Sequence, residues 1–296
     1  MLKRTLYFTN PYRLSLKYNQ LIALNKTTEE EQSVPVEDIG FVVLESMQIS
    51  ISLPLIEALV NNNVAVVFCD SKHMPQSLLL NLDGHTTQSE VFRNQINASV
   101  PLKKNLWKQT IEAKIRNQAK LLKLFDKKSF DVLGFAKDVK SGDLENREGA
   151  AARIYWTRLF GEGFIRDRYG DYPNGLLNYG YIVLRAAVAR SLVGSGLLPT
   201  LGIHHRNKYN AYCLADDIME PYRQYVDRMV YKLFRAEPEY AILEKEHKAE
   251  LLRILTEDVF IDNLRRPLMI ALSITTASLA KCFAGESRSI KYPELE

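Results

Sequence analysis

The hydrophobic pattern changes its period once along the chain, near residue 72, and this change constrains the fold more than any other feature. Before it, apolar and polar residues alternate, as at Leu14, Leu16 and Tyr18, which is typical of half-buried strands. Continuous apolar runs at 41–44 and 64–69 indicate strands that are buried on both faces. The first part of the chain is therefore predicted to be rich in β-structure.

After the change, apolar residues recur at the period of an α-helix. Helices are predicted at 88–98, 101–128, 174–193, 211–235, 239–255 and 259–281. The polar tail that begins at Gly285 is expected to be mobile. The predicted class is α+β, with a small β-rich N-terminal domain at 1–72, a linker at 73–83 and a larger all-α domain at 84–296.

Composition excludes several classes of protein. The 296 residues include 39 Lys and Arg against 35 Asp and Glu, a balance that does not by itself predict a nucleic-acid partner. Three cysteines are widely spaced and form no CxxC pair, which argues against a disulfide framework or a thiolate zinc site and favours a reducing cytoplasm. No apolar run approaches the roughly 18 residues of a membrane span.

Two histidines and three carboxylates lie close together in one stretch, namely His204, His205, Asp216, Asp217 and Glu220. On a helix, Glu220 is three residues from Asp217 and four from Asp216, so the acids are neighbours and repel one another. A divalent cation relieves that repulsion with oxygen ligands, and an imidazole can complete the set. An acidic helix end that faces water remains the alternative interpretation.

A proline next to these acids is expected to bend the helix that carries them. Pro221 lies inside the helix predicted at 211–235, where it removes one backbone donor and frees a carbonyl near Glu220. Such a bend is compatible with a ligand site and equally with a plain kink.

The helix predicted at 101–128 is strongly basic. Its cationic residues are Lys103, Lys104, Lys108, Lys114, Arg116, Lys120 and Lys123. Two interpretations stay open, a solvated helix face and a stripe that faces the phosphates of a nucleic acid.

A second acidic residue of interest precedes a run of alanines. Alanines at 150–152 favour a helix and are small enough to let another helix or a ligand approach closely. Glu148 lies just before them, although a surface position is the default for any single acid.

Three motifs, taken in order after the β-rich start, carry a resemblance to a known family. They are Asn-Arg-Glu148-Gly-Ala-Ala-Ala-Arg, Leu-Gly-Ile-His-His205 and Asp217-Ile-Met-Glu220-Pro-Tyr-Arg. Together they resemble the CRISPR-associated adaptation endonuclease and integrase family, the Cas-one family, and most closely its type II branch. The resemblance covers essentially the whole chain.

The resemblance implies a metal site for Mg²⁺ or Mn²⁺. Glu148, His205 and Glu220 match the family's ligands and catalytic residues; many members have aspartate at the last position. Asp217 matches an acid near the metal and is assigned a supporting role. His204 is expected to pack or to bind backbone rather than to ligate.

The function that the resemblance implies is the insertion of captured foreign DNA fragments, or spacers, into a CRISPR array. The 3′-hydroxyl of the fragment attacks a phosphodiester of the repeat, which is the adaptation step of antiviral defence in the prokaryotic cytoplasm. Family members pair as homodimers through the β domain. Two such dimers flank a dimer of a small ferredoxin-like partner, and double-stranded DNA lies along a basic surface. Arg166 and Arg168 are candidates for that surface, together with the basic helix.

Two other functions are alternatives to this one. A non-catalytic scaffold for double-stranded DNA would use the same basic helix and would need no metal. A metal-dependent phosphohydrolase of the His-Asp type needs a contiguous His-Asp pair, and this sequence contains none.

Overall fold

A computed structural model describes residues 3–236 and 243–296 of the chain. The chain divides into two compact units, Met1–Thr86 and Thr87–Glu296. Among its described residues the first unit holds eight strands and one α-helix, and the second unit is mostly helical. The predicted fold class, a β-rich N-terminal part followed by a larger helical part, is confirmed.

From residue 3 onwards, the N-terminal unit contains two four-stranded sheets. Its strands are β1 (Arg4–Phe8), β2 (Tyr12–Lys17), β3 (Gln20–Asn25), β4 (Glu31–Pro35), β5 (Ile39–Leu44), β6 (Ser50–Ile51), β7 (Ala65–Cys69) and β8 (Pro75–Leu79). The first sheet has the order β1-β5-β7-β8 and the second has the order β4-β3-β2-β6. One helix, α1 (Leu53–Asn61), lies between β6 and β7 in the sequence.

Burial explains the two sequence patterns in this unit. Strand β5 is buried along its whole length and pairs in parallel with β1 and β7, which accounts for its continuous apolar run. Strands β2 and β3 form an antiparallel hairpin and keep the alternating pattern. Tyr18, expected within a strand, instead forms the two-residue turn of this hairpin with Asn19, and both residues have positive φ.

The predicted linker at 73–83 is wrong, because β8 lies inside it and pairs antiparallel with β7. The hairpin loop is held by Asp70, whose side chain accepts hydrogen bonds from the backbone N–H groups of Lys72 and Met74 at 2.9 and 3.0 Å. As an edge strand β8 is polar and partly exposed, which hides it from a search for apolar alternation.

The C-terminal unit contains nine helices within the described residues. They are α2 (Gln88–Ile96), α3 (Val100–Leu124), α4 (Phe130–Lys137), α5 (Arg147–Phe160), α6 (Asn174–Gly194), α7 (Cys213–Met219), α8 (Arg223–Ala236), α9 (Lys245–Leu252) and α10 (Leu268–Phe283). Helix α6 is buried on nearly all sides and packs against α7, α8, α9 and α10. No helix in the described part of the chain is both long and apolar enough to cross a membrane.

The acidic helix is divided, as its proline predicts. Helix α7 ends at Met219, a 3₁₀ turn spans Glu220–Tyr222, and α8 starts at Arg223. The Pro221 carbonyl accepts a hydrogen bond from the Asn117 side chain on α3 at 2.8 Å. The bend is therefore fixed from outside by a buried amide.

The prediction of a helix at 259–281 is wrong for residues 259–267. Strands β9 (Asp258–Ile261) and β10 (Leu264–Pro267) form a hairpin there, and α10 begins after it. Asp262 and Asn263 make the turn, both with positive φ, which these short polar side chains tolerate. The second unit is thus not all-α. Residues 239–242 of the helix predicted at 239–255 lie outside the described residues.

The polar tail is packed rather than mobile. Ile290 and Leu295 are buried, and Glu294 forms a β-bridge with Phe260. Asn117 ties the tail to α3: its amide donates to the Pro293 carbonyl at 3.0 Å, and its oxygen accepts from the backbone N–H of Leu295 at 3.0 Å. Sparse apolar residues separated by charged ones concealed this packing in the sequence.

Replacing Asn117 with Ala should lower the free energy of unfolding by about 2–4 kcal/mol, because buried partners on both the α7–α8 turn and the tail lose their hydrogen bonds. Asn105→Ala, on an exposed position of the same helix, should change it by less than about 0.5 kcal/mol. Urea denaturation followed by circular dichroism measures both. Equal effects of the two substitutions would show that Asn117 does not hold the turn and the tail.

Candidate active site

Glu148 lies in the first turn of α5, in a position set by the residues just before it. Asn146 has left-handed backbone geometry and caps the helix, since its side-chain oxygen accepts from the Gly149 N–H at 3.1 Å. The Asp143 carboxylate accepts from the backbone N–H groups of Arg147 and Glu148 at 2.9 and 3.0 Å. A Cβ at Gly149 would lie 2.7 Å from the Asn146 side chain, so the cap requires glycine there.

His205 lies in the loop between α6 and α7, and Asp217 on α7 organises that loop. The Asp217 carboxylate is fully buried and accepts from the backbone N–H groups of Ile203, His204 and His205 at 2.7, 3.0 and 3.2 Å. It also pairs with Nδ1 of His205 at 2.5 Å. A Cβ at Gly202 would lie 2.4 Å from the His205 carbonyl oxygen, which explains the glycine of the Gly-Ile-His-His motif.

The bond to Asp217 orients the His205 ring and leaves Nε2 as the nitrogen that can face a ligand. The same hydrogen bond raises the pKa of His205 above its ordinary value. His204 is placed differently: its ring stacks on buried Trp107, with centroids 4.1 Å apart and planes within 3°. Burial lowers the pKa of His204. Its ring is therefore engaged in packing, while the His205 ring is held by a carboxylate.

Glu220 begins the 3₁₀ turn between α7 and α8, and it meets Glu148 at a single lysine. Nζ of Lys114, from the middle of α3, lies 2.5 Å from Oε1 of Glu148 and 2.6 Å from Oε2 of Glu220. The other Glu220 oxygen, Oε1, lies 2.9 Å from Nη2 of Arg223. Burial raises the pKa of Glu220, but the positive charges of Arg223 and Lys114 outweigh this effect and hold that pKa below its ordinary value. The carboxyl group is therefore ionised.

The three predicted ligands are not assembled around one point. Within residues 3–236 and 243–296, no three His, Cys, Asp or Glu side chains lie close enough together to hold a metal ion. The structure brings Glu148 and Glu220 together on Lys114, while His205 is engaged with Asp217. Asp216, the third acid of the cluster, bonds to the Asn210 amide at 2.6 Å instead.

The residues nevertheless fit a hard divalent cation. Glu220 Oε2 is buried and pairs with the Lys114 ammonium by charge at 2.6 Å, but it accepts no hydrogen bond of regular geometry from the described residues, so its lone pairs remain available to a cation. The two carboxylates already face one positively charged atom from two separate elements. Two carboxylates with an adjacent imidazole form a donor set suited to Mg²⁺ or Mn²⁺.

Sequence reasoning missed the roles of Lys114 and Arg223. The sequence pattern groups Lys114 with the other cationic residues of the basic helix, but the structure buries it, with Ile111 and Ile115 beside it on the apolar face of α3. That position on the apolar face was the available signal. Part of the remaining stripe is neutralised by neighbouring acids, since Lys120 pairs with Glu294 at 2.8 Å. Lys104, Arg116 and Lys123 are exposed.

Arg223 packs against a buried hydrogen-bond network formed by Tyr155, Tyr181 and Asp227. Its guanidinium lies 4.8 Å from the centre of the Tyr181 ring. The hydroxyls of Tyr155 and Tyr181 donate to the Asp227 carboxylate at 2.6 and 2.5 Å. Burial raises the pKa of Asp227 from 3.8 to about 6, despite these hydrogen bonds and the charge of Arg223.

The raised pKa of Asp227 predicts a pH-dependent stability. Between about pH 4 and pH 6 the folded protein keeps a proton that the unfolded chain releases, so the stability that this group contributes is lost as the pH rises through 6. The free energy of unfolding of the wild type, relative to Asp227→Asn, should fall by about 2 kcal/mol from pH 4 to pH 7. Denaturant unfolding across this range measures it, and a difference that does not change with pH would contradict it.

Asp217→Asn should loosen the histidine loop. An amide offers one acceptor oxygen where three backbone donors and a ring nitrogen converge, so the free energy of unfolding should fall by about 2–4 kcal/mol. Asp216→Asn is the matched control on the next residue and should cost less than about 1 kcal/mol. Chemical denaturation of both variants measures this, and equal losses would contradict the role assigned to Asp217.

Comparison with known proteins agrees with this architecture. The family model described as CRISPR associated protein Cas1 matches residues 6–248. The CRISPR-associated endonuclease Cas1 of Neisseria meningitidis serogroup C (strain 8013) is 34% identical over 298 residues, covering 99% of this chain and 96% of that protein.

Solved structures show the same fold. A casposase bound to its integration product superposes with a TM-score of 0.78 at 21% identity, over 98% of this chain and 92% of that one. A Cas6-RT-Cas1–Cas2 complex contains a chain with a TM-score of 0.74 at 17% identity, over 99% of this chain and 36% of that one. The family model and the Neisseria relative both extend over most of the chain, and the protein belongs to the Cas1 family.

Proposed function

We propose that this protein is a divalent-metal-dependent DNA endonuclease and integrase that inserts captured DNA fragments into a CRISPR array. The observation that carries the proposal is the convergence of Glu148 and Glu220, from two separate elements, on one cation position. The Neisseria relative is named an endonuclease, and the casposase neighbour is bound to an integration product.

The residues that would hold Mg²⁺ or Mn²⁺ are Glu148, Glu220 and His205 through Nε2. When bound, such a cation neutralises charge on the scissile phosphate and stabilises the oxyanion that develops there. Asp217 holds the His205 ring in one orientation, so that Nε2 can ligate or can accept a proton from the attacking hydroxyl. Arg223 keeps Glu220 ionised and fixed.

The attacking group determines which of two reactions occurs. A 3′-hydroxyl of the captured DNA forms a new P–O bond to a phosphodiester in the repeat, and the P–O bond to the repeat's own 3′-oxygen breaks, so that this oxygen leaves as a 3′-hydroxyl and the number of phosphodiester bonds is unchanged. Water in the same position yields hydrolysis and hence endonuclease activity. The first reaction is the adaptation step of antiviral defence.

Partners follow from the family and from the charge distribution. We infer a homodimer formed through the N-terminal unit, and two such dimers around a dimer of a small ferredoxin-like partner; a Cas1–Cas2 assembly among the structural neighbours supports a partner of this kind. Exposed Lys104, Arg116 and Lys123 are the candidates on α3 for contacts with DNA phosphates. Arg168 is a further candidate on the loop before α6, whereas Arg166 is engaged with Asn174 and Asn178.

Glu148→Gln should reduce strand transfer at least about a hundredfold, because an amide is a poor ligand for a hard cation. The assay uses purified protein, a branched DNA that mimics the half-integrated product, and Mn²⁺ or Mg²⁺, with EDTA as the blank. Binding of the same DNA, measured by fluorescence anisotropy, should stay within about threefold of wild type, since affinity comes mainly from phosphate contacts elsewhere.

Glu145→Gln is the matched control, because Glu145 is three residues away and pairs with Lys140 and Arg147 rather than with Lys114. It should retain strand transfer. Wild-type activity in Glu148→Gln would contradict the assignment of this residue. Tight DNA binding by the wild type without metal-dependent strand transfer, also in the presence of the partner, would favour the non-catalytic scaffold.

A further inference from the structure

Lys114 differs from the other lysines of the basic helix because its side chain is buried, which is unusual for a lysine. Its side chain is about 10% exposed, and it projects from the buried face of α3 between Ile111 and Ile115, which are fully buried. Helix α3 packs against both α5 and the 3₁₀ turn that carries Glu220. The Lys114 ammonium group therefore lies where α5 and the 3₁₀ turn approach each other.

The ammonium group lies where a shared cation would bind. Its nitrogen is 2.5 Å from a Glu148 oxygen and 2.6 Å from a Glu220 oxygen. Carboxylate oxygens ligate divalent cations at about 2.0–2.6 Å, so an ion bound to both glutamates needs the space that Nζ fills. Lys114 and such an ion exclude each other sterically as well as by charge.

The charge balance leads to the same conclusion. Glu148 and Glu220 carry two negative charges, and Lys114 with Arg223 carries two positive charges. A divalent ion added to this group would leave it with two uncompensated positive charges, which is costly beside the buried Lys114 and Glu220 side chains, even though Glu148 and Arg223 are 28% exposed. Movement of Lys114 away from the carboxylates relieves part of that excess.

We propose that Lys114 is an internal counter-cation: it holds Glu148 and Glu220 together in the metal-free protein and is displaced from them when the metal binds. The proposal rests on the metal-dependent function proposed above and assigns a positioning role to a residue outside the three ligands. Lys114 therefore competes with the metal and lowers its affinity, while it prevents the two glutamates from repelling each other before metal arrives.

Direct measurement of Mn²⁺ binding tests the competition. Electron paramagnetic resonance of free Mn²⁺ during a titration gives the affinity for wild type, Lys114→Met and Glu148→Gln. Lys120→Met is the matched control, because it removes the same charge from the same helix at a position that pairs with Glu294. Lys114→Met should bind Mn²⁺ at least about tenfold more tightly than wild type. Lys120→Met should bind as wild type does, and Glu148→Gln should lose the site.

Two contrary results have separate meanings. Equal or weaker Mn²⁺ binding by Lys114→Met, with the site still lost in Glu148→Gln, overturns the role of Lys114 and leaves the metal site in place. Absence of any Glu148-dependent Mn²⁺ site in the wild type overturns the proposed function as well.

A second measurement needs no substitution and decides the question if Lys114→Met does not fold. Wild-type protein is treated with an amine-acetylating reagent in EDTA or in saturating Mn²⁺, and the modification of each lysine is followed by mass spectrometry. Acetylation of Lys114 should be slow in EDTA and should rise at least about threefold in Mn²⁺, because displacement frees the amine from two carboxylates. Lys120 should react equally in both conditions. An unchanged or reduced rate at Lys114 overturns the displacement.

Discussion

Two glutamates that face each other in a largely buried place repel one another, and a cation between them is what makes the arrangement stable. In this protein that cation is the ammonium group of Lys114. Three elements meet there: α3 provides the lysine, the first turn of α5 provides Glu148, and the turn between α7 and α8 provides Glu220. Local hydrogen bonds hold these elements in position. Asn146 caps the first turn of α5, and the Asn117 amide fixes the turn at Pro221.

His205 is held in place by a different residue, Asp217. Asp217 gathers three backbone N–H groups and one imidazole nitrogen, so that a single buried carboxylate sets the path of the loop and the orientation of the His205 ring. Trp107 closes the other side of this loop by stacking on His204. Asp217 thus contacts the backbone of both neighbouring histidines but the ring of His205 alone, so the two imidazoles have different surroundings.

Much of this organisation could be predicted from the sequence where burial is complete or alternation is regular. Strand β5 and helix α6 are examples, since their apolar patterns leave few alternatives. Strand β8 was not predicted because its residues are partly polar and partly exposed. The β9–β10 hairpin was not predicted because each of its strands has only four residues, too few to establish an alternating pattern. The packed tail escaped because its few buried side chains, such as Ile290 and Leu295, are separated by polar residues. The candidate acids and histidines were found by motif, whereas Lys114 was obscured by the many other lysines of its helix.

A crystal grown or soaked with Mn²⁺, with diffraction measured near the manganese absorption edge, would show directly whether these residues form a metal centre. The expected result is an anomalous peak bonded to an oxygen of Glu148, an oxygen of Glu220 and Nε2 of His205, with the Lys114 ammonium moved away from both carboxylates. A saturating Mn²⁺ concentration that leaves no peak at these residues, with Lys114 still paired to Glu148 and Glu220, would contradict the metal-dependent site.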